Sequence, residues 1–391
     1  MRVPGTTSIL RSEGAGRALA PDVSRGIALC FIAVANVMLY LHDRPYGMRQ
    51  HLVEDGAVDR GVTFAVVALV DARVYPLFAL LLGYGIALLS TRDPGAGGVR
   101  RLRRRGVGLI LFGLVHGVLL FSGDILGLYG LLTLLLIPAL GWSGRRLLVV
   151  AGVLIVPCAL VQGLAFADPG PTMQRAILWS IGITDPLEAL AWRPLEWIVA
   201  MVGMLGVVPA VLLGIWAAHR DVLANPAAYR HLLVRAGAGL TVVGILGGIP
   251  AALVAAGVIS VPDGPAAAII STLHVATGIL GGVGYAALLA LACTIRRFAT
   301  SRTAHVFAIV GERSLTSYLL QSVLMVPVLA AWTFGVGGTI GSTGALLIAL
   351  ATYAITVAAA CWMHAHGDLR PAEMLLRRFA NAPSKRMEVT G

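Results

Sequence analysis

The chain has 391 residues, of which 58% are hydrophobic and only 13% charged. Soluble domains carry about a quarter charged residues, so this composition excludes a soluble enzyme and indicates a polytopic, all-α membrane protein whose single membrane domain absorbs nearly the whole length. The net charge of +11 is not a nucleic-acid signal, because the sequence holds no nucleic-acid module and the charge follows the positive-inside pattern of membrane proteins.

A helix needs about 20 mostly apolar residues to cross a bilayer. The apolar runs predict ten spans, at about 26–41, 62–89, 106–121, 125–140, 147–165, 195–217, 236–258, 266–292, 311–331 and 344–363. Ala33-Val34-Ala35 has the small-x-small look of a signal-peptidase site, but the run stays apolar to Leu41, which favours an uncleaved first helix. The expected organisation is a cytoplasmic segment over 1–23, a membrane domain over 24–366 and a cytoplasmic tail over 367–391.

Charge sets the orientation. Arg100-Arg101-Leu102-Arg103-Arg104-Arg105 runs straight into the uncharged Gly106–Phe121, and such a cluster stays cytoplasmic. Only six arginines fall in the alternate set of connections: Arg44, Arg49, Arg60, Arg73, Arg175 and Arg193; the other 24 of the 30 Lys and Arg lie on the arginine-cluster side. The bias predicts both termini in the cytoplasm of a bacterial plasma membrane protein. Two outer segments are long, His42–Gly61 and Phe166–Pro194. The second carries Trp179, Trp192, Asp168, Asp185 and Glu188, either as an interfacial anchor or as a roof over an outward-opening site. Ten spans also allow two inverted halves of five, with Pro76 and Pro250 in corresponding spans.

Ionisable groups at membrane depth are costly and mark candidate sites. His116 stands alone in its apolar run and Asp124 follows at its outer end. A neutral imidazole can serve as a general base, and a carboxylate can fix its tautomer. On one continuous helix the two would be about 12 Å apart, so contact requires a break near Gly123. Asp71-Ala72-Arg73 precedes Val74-Tyr75-Pro76. The two charges point in different directions on a helix, and Pro76 is the expected breakpoint. Glu312 and Arg313 open span nine, with Ser314, Tyr318 and Gln321 at helical spacing; interhelical hydrogen bonding alone also explains that stripe. Asn36, with Arg25-Gly26 at the inner end of the same span, is a further polar position. His274 reads as structural. The four cysteines, Cys30, Cys158, Cys293 and Cys361, have no zinc or redox spacing, and no metal motif, Walker A or GxSxG occurs.

Several of these pieces together resemble the YeiB-like family of bacterial inner-membrane proteins (domain of unknown function 418). They are Arg25-Gly26-Ile27-Ala28-Leu29 with Asn36; Val74-Tyr75-Pro76-Leu77-Phe78 with Leu82-Gly83-Tyr84-Gly85; His116-Gly117 with Gly123-Asp124-Ile125-Leu126 and Tyr129-Gly130; and Gly311-Glu312-Arg313-Ser314-Leu315-Thr316-Ser317-Tyr318-Leu319-Leu320-Gln321. The family's closing Gly-Pro-x-Glu-x-x-x-Arg run reads Arg370-Pro371-Ala372-Glu373-Met374-Leu375-Leu376-Arg377 here, with arginine in place of the glycine. A more distant resemblance, to the transmembrane acyltransferase superfamily, implies transfer of an acyl group from cytoplasmic acyl-CoA, as co-substrate rather than resident cofactor, to an extracytoplasmic sugar or lipid-linked acceptor. That resemblance implies a catalytic histidine on the outer loop after the first span, where His42 and His51 stand.

The sequence therefore sets His116 and Asp124 as catalytic candidates. Arg25, Asn36, Asp71, Tyr129, Arg313, Tyr318 and Gln321 are substrate-binding candidates, with the inner arginines attracting CoA phosphates. Small-molecule transport, proton-coupled through His116, Asp124 and Asp71, is the alternative; a membrane protein without turnover is a third.

Overall fold

The computed structural model describes residues 18–167, 175, 177–260, 262 and 264–381. Fifteen helices follow one another among them: α1 Leu19–Val37, α2 Ala57–Leu69, α3 Val74–Arg92, α4 Ala96–Leu119, α5 Leu126–Leu135, α6 Gly144–Ala165, α7 Pro186–Gly203, α8 Val208–His219, α9 Arg230–Ala255, α10 Gly264–Ala292, α11 Arg296–Ala299, α12 Arg302–Glu312, α13 Ser314–Leu329, α14 Ser342–Ala365 and α15 Pro371–Asn381. No strand forms among the described residues; Tyr46 and Leu52 make one isolated bridge. The protein is an all-α polytopic membrane protein. The main packings are α9 on α10, α3 on α8, α4 on α5 and α1 on α12.

Seven segments among the described residues are long and apolar enough to cross a membrane: Leu19–Tyr40, Ala57–Arg92, Gly144–Ala165, Pro186–His219, Arg230–Ala255, Gly264–Ala292 and Ser342–Ala365. Seven is fewer than the ten expected, for physical reasons. The first turns of α4 carry the arginine cluster, and the apolar α5 and α13 are short.

Several boundaries differ from the expected ones. α1 begins at Leu19 rather than near residue 26. Span two is two helices, and the break falls at residues 70–73, upstream of Pro76, with Ala72 in the left-handed region at φ 58°. Pro76 lies in the first turn of α3, where its missing N–H costs nothing. α9 runs unbroken past Pro250, so the two halves do not correspond at that feature. α7 starts at Pro186, because Asp185 accepts from the Leu187 and Glu188 amides at 2.8 and 2.9 Å and proline takes the first helical position. Span nine breaks at Arg313, between α12 and α13.

In a bilayer the free N–H and C=O groups of helix ends lack water, so the protein must supply partners. Here distant charged side chains do so. Arg175 donates to Met38 O and Leu41 O at 2.9 and 3.1 Å, closing the end of α1. Arg193 donates to Val118 O and Leu119 O, both at 3.1 Å, closing α4. Arg60 donates to Ala256 O at 2.7 Å and to Gly257 O after α9. Arg73 serves the α2–α3 break, donating to Val67 O at 3.0 Å, to Asp71 O, and to Gly244 O of α9 at 2.6 Å. Helix starts receive carboxylates, the charge the dipole favours there. Glu54 accepts from Ser342 N and Asp59 from Thr343 N, both at 2.7 Å, at α14. Glu373 of α15 accepts from Leu315 N at 2.8 Å and Thr316 N at 3.1 Å, at α13.

These contacts sort the connections into two ends. Residues 42–55, 120–124, 177–183, 256–260 and 330–341 lie at one, where His42 N meets Gly337 O and Ala331 N meets Ile181 O. The arginine-rich connections lie at the other, with the start of α1, the α12–α13 junction and α15.

Candidate functional site

α4 carries His116 in its last turn and ends at Leu119, and the chain turns over residues 120–125 before α5. That turn brings Asp124 back along the helix it has just left. His116 Nδ1 meets Asp124 Oδ1 at 2.8 Å, and His116 Nε2 meets Ser322 Oγ of α13 at 2.8 Å. His116, Asp124 and Ser322 are all buried. The other carboxylate oxygen, Asp124 Oδ2, accepts from Gly127 N at 2.7 Å and from Trp197 Nε1 at 3.3 Å. The Trp197 indole lies in a slot lined by Gly117 and Gly127, where an added Cβ would overlap its ring.

Carboxylate, imidazole and hydroxyl thus form a relay with the connectivity of a Ser-His-Asp triad, which is recognised by geometry rather than sequence order. With Asp124 holding the Nδ1 proton, Nε2 is left to accept from the hydroxyl. Tyr318, one turn before Ser322, packs its ring 5.2 Å from the imidazole and accepts from Ile125 N at 3.4 Å.

A second carboxylate stands beside this relay. Glu196, fully buried on α7, accepts from Ser122 Oγ at 2.6 Å and from Ser180 N and Oγ, both at 2.5 Å. One turn of α7 therefore supplies Arg193 to the end of α4, Glu196 to the two serines flanking the site, and Trp197 to Asp124. Sequence reasoning passed over Ser322, Glu196 and Trp197. Glu196 was detectable, as a carboxylate inside an expected span.

The remaining candidates fall in three places. Asn36 Oδ1 accepts from Tyr75 OH at 2.7 Å, and Tyr129 OH donates to Tyr75 O at 3.4 Å. Gln321 Nε2 donates to Leu29 O at 3.1 Å. Asp71 lies outside the relay; it is held by Arg49, Nε to Oδ2 at 2.9 Å and Nη2 to Oδ1 at 3.2 Å, with His274 Nε2 3.5 Å away. Arg25 and Arg313 are at the opposite end. Arg25 donates to Asp22 Oδ1 at 3.1 Å and Leu81 O at 3.2 Å. Arg313 is fully buried and donates to Leu369 O and Ile309 O, both at 3.0 Å, and to Asp368. It anchors the segment after α14 and does not open into the stripe of α13.

The outer-loop histidines also separate. His42 is buried between Asp43 Oδ2 at 2.8 Å and Leu329 O at 3.1 Å. His51 lines a pocket of about 790 Å3, counting the solvent space at its mouth, with Arg49, Asp71, Tyr75, Gly123 and Arg175. Burial lowers the His51 imidazole to about 4, with Asp71 opposing and Arg49 and Arg175 adding to the shift. Asp168 lies outside the described residues. No group of His, Cys, Asp and Glu suited to a metal occurs among the described residues, and the four cysteines are free.

Residues 217–383 match the family described as Protein of unknown function (DUF418). That stretch runs from the end of α8 to α15. The DUF418 stretch supplies Ser322, Tyr318, Gln321, His274 and Arg313, while His116 and Asp124 precede it. No curated protein matches the chain.

Proposed function

We propose that this DUF418 membrane protein is an acyltransferase of the bacterial plasma membrane, with ten spans and both termini cytoplasmic, and that the Asp124–His116–Ser322 relay is its reaction centre. The observation that carries the reading is the 2.8 Å contact on each ring nitrogen of His116. A buried imidazole held by a carboxylate on one side and a hydroxyl on the other is built to move a proton off that hydroxyl.

The chemistry balances without a metal or redox partner. Ser322 Oγ attacks the carbonyl of an acyl thioester as its proton passes to His116 Nε2. The C–S bond breaks, and the imidazolium returns that proton to the departing thiolate, leaving an acyl-Ser322 ester. An acceptor hydroxyl or amine then attacks the ester, gives its proton to His116, and Ser322 Oγ leaves and takes the proton back. Asp124 remains ionised, keeps Nδ1 protonated and stabilises each imidazolium. Arg105 and His116 sit on one helix, about 17 Å apart along its axis at the standard rise. A donor whose phosphates rest on the inner arginines must therefore reach the relay through an extended arm, as the pantetheine chain of coenzyme A allows.

The test is trapping. Purified protein incubated with isotopically labelled acetyl-CoA or octanoyl-CoA, without acceptor, should gain one acyl group on the Ser322 peptide by mass spectrometry. Ser322→Ala and His116→Ala should both remove it. Absence of acyl-Ser322 with either donor, or acylation that survives Ser322→Ala, refutes the reading.

Proton-coupled transport is the second reading. The α2–α3 break, with Asp71, Arg73 and His274 clustered at it, favours it, because interrupted helices with ionisable groups mark transport sites. Solute movement driven by a pH gradient in vesicles, stopped by His116→Ala and unaccompanied by any acyl-CoA shift in melting temperature, would decide for it.

A further inference from the structure

The pocket beside His51 is a site in its own right. Its walls come from the end of α1, residues 49–51, α2 and the α2–α3 break, Gly123, the end of α6, residues 175, 177 and 178, and α7. Two arginines line it, and they are not equivalent. Arg49 is neutralised by the two-point contact with Asp71 and lies over the Phe166 ring, 5.0 Å from its centroid. Arg175 is buried, stacks on Tyr46 at 4.4 Å and spends Nη2 on the two carbonyls after α1. Its Nε and Nη1 are buried with no hydrogen-bond partner among the described residues.

A guanidinium with two donors unmet and no carboxylate partner among the described residues is expensive out of water. Among the described residues the charged side chains lining the cavity are Arg49, Arg175 and Asp71, with His51 neutral, so the lining carries one positive charge in excess. Backbone strain is found in the same lining. Arg49, Gln50 and Leu178 all line the pocket, and all three adopt left-handed backbone conformations at φ 63°, 61° and 62°. Such backbone is strained for residues with a Cβ and persists where the surroundings demand it. The rest of the lining includes the apolar side chains of Phe166, Leu178, Ala200 and Met204.

We propose that this pocket binds a singly charged anionic amphiphile, a phosphodiester or carboxylate head seated on Arg175 with its apolar tail against Phe166, Ala200 and Met204. The inference does not depend on the acyl-transfer reading, because none of the relay side chains lines the pocket.

The experiment is isothermal titration of the full chain in neutral detergent with four probes: dihexanoyl phosphatidylglycerol, decanoate, dihexanoyl phosphatidylcholine and glycerophosphoglycerol. The first two carry an anionic head and a tail, the third the same tails with no net charge, and the fourth the head alone. Phosphatidylglycerol, decanoate or both should bind at least about tenfold more tightly than either control. Arg175→Gln should remove that preference. Because Arg175 also closes α1, Ala200→Phe provides a second variant, which fills the apolar wall and should abolish amphiphile binding with the arginines intact. Equal binding of the anionic and zwitterionic lipids, equal binding of head and amphiphile, no binding of any probe, or unchanged binding in Ala200→Phe would each overturn the proposal.

Discussion

Asp124→Asn changes the relay by the smallest possible chemical step, one oxygen for one amide nitrogen. In the wild type both carboxylate oxygens accept: Oδ1 from His116, Oδ2 from Gly127 N and Trp197 Nε1. Asparagine has one acceptor oxygen and one donor NH2. If its nitrogen faced Gly127 and Trp197, three donors would converge and two hydrogen bonds would be lost. The oxygen therefore stays on that side and the NH2 turns to His116. The imidazole must then accept at Nδ1 and carry its proton on Nε2, facing Ser322 with no lone pair to offer. Loss of one charge-assisted bond inside a preserved frame should cost about 1.5–3 kcal/mol of stability. Loss of the base should cost about 10⁴-fold in rate, roughly 5.5 kcal/mol of barrier. The assay is the rate of Ser322 modification by an alkyl fluorophosphonate, read by mass spectrometry, beside thermal unfolding of the same samples. Modification of the folded variant at the wild-type rate would refute the assignment of His116 as a base poised by Asp124.

Three further outcomes are expected. On a cysteine-free background, cysteines placed at Arg101 and Glu188 should label oppositely with an impermeant thiol reagent on whole cells, Glu188 from outside only; labelling of both from outside would overturn the proposed topology. Glu373→Ala removes the carboxylate from the start of α13 and should destabilise by about 1–2 kcal/mol, with Glu373→Gln between it and wild type; an unchanged melting temperature for the alanine variant would show that the contacts to Leu315 and Thr316 carry no stability. His51, with its pKa lowered to about 4 by burial, should make stability pH-dependent. The unfolded imidazole titrates near 6.5, so between about 6.5 and 4 the unfolded state holds the extra proton, and stability falls as pH falls through that window, by up to about 3 kcal/mol. His51→Asn should flatten this part of the melting profile, and a slope identical to wild type would refute the burial argument.

The hydrophobic runs made the fold class legible, because twenty apolar residues in succession admit few structures. They could not show where a run breaks. The α2–α3 break depends on Arg73 reaching the Gly244 carbonyl on α9, a partner about 170 residues away in sequence, and Pro76, the local signal, only marks the resumed helix. His116 and Asp124 stood out as ionisable groups beside an apolar run, but their contact needed the turn at 120–125. Ser322 was hidden because a serine in a membrane helix ordinarily bonds to its own backbone, and only the third dimension sets it on an imidazole. Glu196 was missed because it is the second residue of the expected span, where a carboxylate reads as a boundary.

The arginines that close helix ends have a consequence for how the chain is made. Arg193 belongs to α7 but completes α4, and Arg175 completes α1 from beyond α6. During synthesis the early helices therefore enter the bilayer with carbonyl ends unmet, and they wait for segments not yet translated. α4 can reach its final form only after α7 emerges and the α2–α3 break only after α9, so a chain halted before Arg193 should remain open and accessible to proteases and chaperones. Assembly of this bundle is a late, collective event rather than a helix-by-helix one.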